Sequence, residues 1–299
     1  MPSKSKLAYK AQIILMLILN QALSYTTSNF RLRHVVAVRA MSSSLEALAW
    51  PLDRQKYVNN LFDFQLPQGR CVGLELPLEM ENEALEGWSD SKHWVHSFLH
   101  HEEVLYVQEK SRPVRKSFLL GRLALRDALN DGFTQCSNRD KQQPYLKDIH
   151  GRPTLPLSHM GSISHKGNIG VAIVAPSCPH TAIGVDIERI EFKPTRRNIA
   201  PKILTESEIQ SLGNLGNMPL EHEILLRFSL KEAIYKAVHP LINEYVRFHD
   251  AEVTPWEDGT ASCVWNLKSG SHMSLLPVQA NWRKLEMNCF LTSALCSKM

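Results

Sequence analysis

The sequence predicts a mixed α+β protein, and three observations carry that prediction. Two stretches, Arg112 to Asn130 and Pro219 to about Val238, place apolar residues at helical spacings. Short apolar or alternating stretches from Gly161 to Val174, Thr181 to Ile187 and Glu252 to Leu295 read as strands. Two parts of similar make-up meet near residue 180, although no sequence repeat is visible.

Taken in order, residues 92 to 104 look helical. In the next helix Phe118, Leu119, Leu123, Leu125 and Leu129 supply the apolar positions, and Asp131-Gly132 is its stop signal. A polar loop, Ser137 to Gln143, leads to a turn at Gly151-Arg-Pro153. Gly161-Ser-Ile-Ser-His165 and Ile169-Gly-Val-Ala-Ile-Val174 then read as strands around a Lys166-Gly-Asn168 turn. After the loop Ala175 to His180, Thr181-Ala-Ile-Gly-Val-Asp-Ile187 is a further short strand. Thr205-x-x-Glu208 is a capping box that opens a short helix. Leu212 to Met218 is a Gly/Asn loop, Pro219 suits the first turn of the long helix, and Pro240 is expected to stop it. Glu252 to Thr254, Ala261 to Trp265 and Asn288 to Leu295 complete the strands.

The first 44 residues read differently. Lys4, Lys6 and Lys10 precede the apolar run Ala11 to Leu19, and Ala22-Leu-Ser24 offers a cleavage site, so residues 1–24 resemble a signal peptide. Residues 25–44 are rich in Ser, Thr and Arg and lack acids, as transit peptides do. The expectation is a cleaved leader that delivers the protein to a plastid or mitochondrion, the alternative being a start at Met41 and a cytoplasmic protein. The folded part then divides into 45–179 and 180–299. The apolar run is short of the roughly 20 residues of a spanning helix, so no integral membrane span is expected in the mature protein.

The formal charge of +4 falls away with the leader. Six of the 34 Lys and Arg residues and none of the 30 Asp and Glu residues precede Glu46, leaving 28 basic against 30 acidic residues. Global charge therefore gives no support to nucleic-acid binding. Six cysteines lie far apart without a CxxC pair, which argues against a structural zinc site and for free thiols.

Asp186 and Glu188 lie two apart on a strand, so both side chains point to one face and can share a hard cation such as magnesium. Two solvated carboxylates at a strand end would look the same. On the second long helix, Leu225, Phe228, Leu230, Ala233, Ile234, Ala237 and Val238 run almost all the way round. Ser229, Glu232 and Lys236 form one narrow polar stripe among them. Ser164 and His165 beside a turn, with Arg152 upstream, are donors suited to a phosphate or simply to their own backbone. With no Gly-x-Ser-x-Gly elbow and no Walker loop, serine-hydrolase and P-loop chemistry are excluded.

In this order the stretches Arg115-Lys-Ser-Phe-Leu-Leu-Gly-Arg122, Gly151-Arg-Pro153, Gly161-Ser-Ile-Ser-His165, Ile183-Gly-Val-Asp-Ile-Glu188 and Phe228-Ser-Leu-Lys-Glu-Ala-Ile-Tyr-Lys236 resemble the Sfp-type 4′-phosphopantetheinyl transferases. The branch typified by the enterobactin synthetase component D is nearest, and Phe248-His-Asp-Ala-Glu-Val253 also looks like it. Many members have Trp where Phe228 stands, and bacterial members lack the leader. The resemblance implies a pseudo-twofold α+β fold whose two halves hold coenzyme A at their junction. It implies a monomeric, Mg2+-dependent holo-acyl-carrier-protein synthase that passes phosphopantetheine from coenzyme A to a serine of an acyl or peptidyl carrier protein. By motif, Asp186, Glu188 and Glu232 hold the metal, and Glu232 and Lys236 are catalytic. Arg115, Arg122, Arg152, Ser164 and His165 bind coenzyme A. Two rivals remain, a silent coenzyme A or carrier-binding module and another Mg-dependent phosphotransferase.

Overall fold

The computed structural model describes residues 52–129, 143–191, 196–216, 218–266 and 277–298. The leader, Cys136 and the predicted Asp131-Gly132 stop lie outside the described residues. The chain divides into the units Met1–Leu52 and Asp53–Met299, and apart from Leu52 at the boundary the described elements belong to the second.

After a short helix α1 (Leu52–Gln55) come strands β1 (Asn59–Leu66) and β2 (Gly69–Glu75), then helices α2 (Glu81–Leu85), α3 (His101–Gln108) and α4 (Arg112–Leu129). Strands β3 (His159–Lys166), β4 (Ile169–Pro176) and β5 (Thr181–Arg189) succeed them. Next are α5 (Arg196–Ile203), α6 (Glu206–Gln210) and the long α7 (Leu220–Ile242). Strands β6 (Ala251–Pro255), β7 (Thr260–Trp265), β8 (Val278–Leu285) and β9 (Cys289–Ser297) end the described chain.

The strands form two antiparallel sheets, ordered β1-β2-β4-β3 and β5-β9-β8-β7-β6. Strand alternation decides what each face does. Ile169, Val171 and Ile173 of β4 join Ile183, Val185 and Ile187 of β5 in one apolar cluster between the sheets. The intervening residues meet the helices. Gly170 lies under Leu120 of α4, and Gly184 lies so close to Ala233 of α7 that a Cβ there would strike its carbonyl oxygen. Each sheet thus carries one long helix on its outer face, the α+β architecture of two sheet-containing halves. The edge strands β3 and β5 lie alongside each other, and the Val185 N–H donates to Ser162 Oγ across that edge at 3.2 Å.

Three expected elements differ. The helix predicted over 92–104 is a 3₁₀ turn at Trp94–Ser97 and then α3 from His101. The break comes from a cap: His100 Nδ1 accepts the Glu102 N–H, and Glu103 reaches back to the His100 N–H at 2.8 Å. The long helix does not stop at Pro240. It runs to Ile242, where Asn243 in the left-handed conformation donates its N–H to the His239 carbonyl, and Pro219 is its N-cap rather than part of its first turn. Asn288 has a φ of 57° and forms the turn before β9 instead of starting that strand. The Thr205/Glu208 capping box is present as expected.

Phe228 packs partly buried against Phe248, with ring centroids 5.7 Å apart. Cys71, Cys178, Cys263, Cys289 and Cys296 are free thiols. Among the described residues no helix is long and apolar enough to cross a membrane.

Candidate active site at the junction of the two sheets

Because Ile183, Val185 and Ile187 face the inter-sheet core, Asp186 and Glu188 face the other way, toward α7. Both carboxylates are buried. Asp186 Oδ1 accepts from Ser164 Oγ at 2.7 Å and from Lys236 Nζ at 2.9 Å, while Oδ2 accepts from Ser229 Oγ at 2.8 Å. Lys236 also donates to the Val185 carbonyl at 3.0 Å. Asp186 is therefore the point where β3, β5 and α7 are tied together. Glu188 Oε2 forms an ion pair with Lys166 Nζ at 2.6 Å.

The polar stripe of α7 turns toward this node. Ser229 shares a hydrogen bond with Thr292 on β9 at 2.9 Å, and Lys236 reaches Asp186 from two turns further on. Glu232 stands between them. Burial pushes its carboxyl above the ordinary glutamate range, Lys236 pulls it down, and the charges of Asp186 and Glu188 push it up again. The three carboxylates therefore share one electrostatic neighbourhood.

Among the described residues, no group of three His, Cys, Asp or Glu side chains converges as a metal cage. Magnesium seldom needs one: it typically takes one or two carboxylates and completes its shell with water and substrate phosphate. Asp186 and Glu188 side by side, with Glu232 across from them, are hard oxygen donors that fit such a partial shell. Among the described residues, Lys236 places positive charge beside Asp186 and Lys166 beside Glu188.

A cleft of about 440 Å³ opens next to the node, with Ser164, His165, Glu232 and Lys236 in its wall. Basic side chains, Arg122, Lys147 and Arg152, also line it. Arg122 of α4 is buried, its Nε–H donates to the Tyr145 carbonyl, and Phe118 lies under its guanidinium at 4.2 Å. Its Nη2 has no partner among the described residues, and burial draws the group down to about 10, still charged at neutral pH. An unpaired guanidinium nitrogen beside a cleft is a natural anion donor. Arg152 is held by Asp148 at 2.7 Å in a turn that Gly151, at a φ of 85°, makes possible. Although partial burial favours the neutral acid, the Arg152 and His150 N–H groups and the Arg152 guanidinium keep the Asp148 carboxyl below its usual range.

His165 is exposed along one edge, yet the cleft wall desolvates its ring, and Lys236 and Lys147 add positive charge nearby. Its pKa is lowered as a result. Arg115, expected beside Arg122, is not part of the cleft wall.

Four residues here escape a reading by motif: Lys147, His150, His239 and Lys166. His150 and His239 meet edge to face at 4.9 Å, joining the 147–153 turn to α7. A signal for His239 exists in the sequence, since it stands seven residues after Glu232 and so on the same helix face. Lys166 can be found only by knowing that β3 and β5 run side by side.

A family model described as the 4′-phosphopantetheinyl transferase superfamily matches residues 182–283, and one for the 4′-phosphopantetheinyl transferase N-terminal domain matches 101–175. Enterobactin synthase component D of Escherichia coli K12 is 29% identical over 50% of this chain and 66% of its own length. The 4′-phosphopantetheinyl transferase PptT of Mycobacterium tuberculosis is 29% identical over 39% and 50%. The chain thus spans about half to two thirds of the curated relatives it matches. A solved holo-(acyl-carrier-protein) synthase of Bacillus anthracis in complex with CoA covers 39% of this chain and 96% of its own, at 22% identity and a TM-score of 0.28. With the two models together matching more than half of its residues, in the order of its two halves, the chain belongs to the 4′-phosphopantetheinyl transferase superfamily, an enzyme family that transfers phosphopantetheine groups.

Proposed function

We propose that this protein transfers 4′-phosphopantetheine from coenzyme A to a serine of an apo carrier protein. The observation that carries the reading is the cleft lined together by a carboxylate with a raised pKa, Glu232, the ammonium of Lys236 and the basic side chains of Arg122 and Arg152. Such a cleft suits a substrate with three phosphate groups and a reaction that needs both a base and a cation.

In the proposed reaction, Arg122, Arg152 and His165 bind and orient the nucleotide phosphates. Ser164 and Ser229 fix the Asp186 carboxylate in place. Glu232 takes the proton from the carrier serine, directly or through water, and the serine oxygen forms its bond to the β-phosphorus. The bond from that phosphorus to the bridging oxygen breaks, and the electron pair leaves on adenosine 3′,5′-bisphosphate. Lys236 neutralises or protonates that oxygen. Magnesium, held by Asp186, Glu188 and Glu232, would supply charge neutralisation on the pyrophosphate. Positioning and electrostatics do most of the work, as in other phosphoryl transfers.

The test is to mix the protein with coenzyme A, magnesium and several apo carriers and follow intact carrier mass. Gain of one phosphopantetheine on any carrier is the expected result, and no gain on all of them would favour a silent binding module. The proposal extends to residues 1–44 as an organelle leader. Fused to a fluorescent protein, they should direct it to a plastid or mitochondrion, whereas a diffuse cytosolic signal would support a start at Met41.

A further inference from the structure

The two carboxylates on β5 are neutralised by lysines of very different standing. Lys236 is half-buried on α7 and divides its ammonium between Asp186 and the Val185 carbonyl. Lys166 comes from the end of β3, leaves 43% of its side chain exposed, and meets Glu188 at 2.6 Å. Lys166 also lines a second cavity of about 580 Å³, with Lys116 and Arg189.

A divalent cation would approach a carboxylate oxygen to about 2.1 Å, closer than any ammonium, and two cations on one carboxylate repel. One of the lysines must yield. Lys236 would leave a carbonyl and a buried carboxylate behind, whereas Lys166 can swing its ammonium into water from a pair of modest worth.

We infer that Lys166 is a tethered counter-ion of the metal site, holding Glu188 when no divalent cation is present and released when one binds. The inference rests on the metal-site reading above. Lys166 acts through Glu188 and touches no reacting atom, so it is a positioning residue. It keeps a buried carboxylate compensated between turnovers and sets how tightly the site takes its cation.

The test uses Mn2+ as probe on the full chain with coenzyme A, free Mn2+ being followed by electron paramagnetic resonance against a protein-free blank. Lys166→Met should bind Mn2+ roughly two- to fivefold tighter than the wild type, the worth of a partly exposed ion pair. Lys166→Arg should match the wild type. So should Lys116→Met, which removes an equal charge that pairs with Glu81 instead. Without metal, Lys166→Met should melt below the wild type, and saturating Mn2+ should narrow that gap. Equal or weaker Mn2+ binding by Lys166→Met, or equal tightening by Lys116→Met, overturns the counter-ion role while leaving the metal site standing. Absence of Mn2+ binding by both wild type and variant overturns the metal site and this role together.

Discussion

Helices α4 and α7 lie on the outer faces of their sheets, each admitted by a glycine on the strand beneath, Gly170 and Gly184. What they bury differs. Helix α4 sinks an apolar face around Leu119, Leu120 and Leu123 and contributes one buried cation, Arg122, to the cleft. Helix α7 buries Glu221, Glu223, Arg227, Ser229 and Lys231 as well as its leucines. Lys231 donates to Glu208 at 2.6 Å and to the carbonyls of Ile203 and Phe248, while Glu208 also accepts the Val253 N–H. Arg227 pairs with Glu223 and donates to the Val253 carbonyl at 2.8 Å. An apolar face lets a helix settle wherever packing is good. Directional buried bonds fix rotation and register, which Glu232 and Lys236 need in order to face Asp186.

Lys231→Met breaks this contrast most severely. Leaving Glu208 buried and unpaired should cost about 3–5 kcal/mol in the C-terminal half, seen as a large fall in denaturant midpoint. The two glycines come next. Gly170→Ala and Gly184→Ala should each cost about 1–3 kcal/mol through overpacking, but only Gly184→Ala should also reduce transfer, because it lifts α7 from β5. Loss of activity in both would show that register matters equally in the two halves. Arg112→Ala removes a half-exposed guanidinium at the start of α4 that pairs with Glu81 and Glu86, and should cost less than about 1 kcal/mol.

The smallest expected effect is in protons. His165 and His239 both titrate below 6.5. For His239, burial is the first cause, with His150 and Arg152 adding to it and Asp148 opposing. For His165, burial again leads, with Lys236, Lys147 and Lys166 adding and Asp186 opposing. A folded pKa below the unfolded one means that the folded state binds fewer protons. These groups therefore favour the folded state above the unfolded pKa, and that contribution is lost as pH falls through it toward the folded value. A bound polyanion reverses the shift, so coenzyme A should bind with proton uptake near pH 6.5 and more tightly as pH falls toward it. Calorimetry in two buffers of different ionisation enthalpy measures that uptake, and a zero value would take both imidazoles away from the phosphates.

Much of the fold and the site is legible from periodicity. The apolar positions of α4, the short apolar runs of β4 and β5 and the stripe of Ser229, Glu232 and Lys236 are local patterns, and the structure keeps them. Strands β1 and β8, absent from the sequence-based expectations, nevertheless alternate apolar and polar residues along Phe62-Asp-Phe-Gln-Leu66 and Val278-Gln-Ala-Asn-Trp282, whereas the place of each strand, such as β2 beside β4, is set by pairing partners distant in sequence. The second polar stripe of α7, Glu223, Arg227 and Lys231, is hidden for another reason. Charged residues at helical spacing read as a wet edge, and only the fold shows that Glu208 and Val253 wait there to receive them. Pro240 misleads as a stop signal because a proline in the final turn removes only one intrahelical bond.

The most direct test of the central claim compares wild type and Glu232→Gln for both coenzyme A binding and phosphopantetheine transfer to an apo carrier. Glutamine keeps the shape of the side chain and removes its basicity. If Glu232 is the base, coenzyme A should bind at near wild-type strength when no divalent cation is added, while transfer falls by about 100-fold or more, the usual contribution of a general base. Transfer at the wild-type rate by Glu232→Gln would contradict that role.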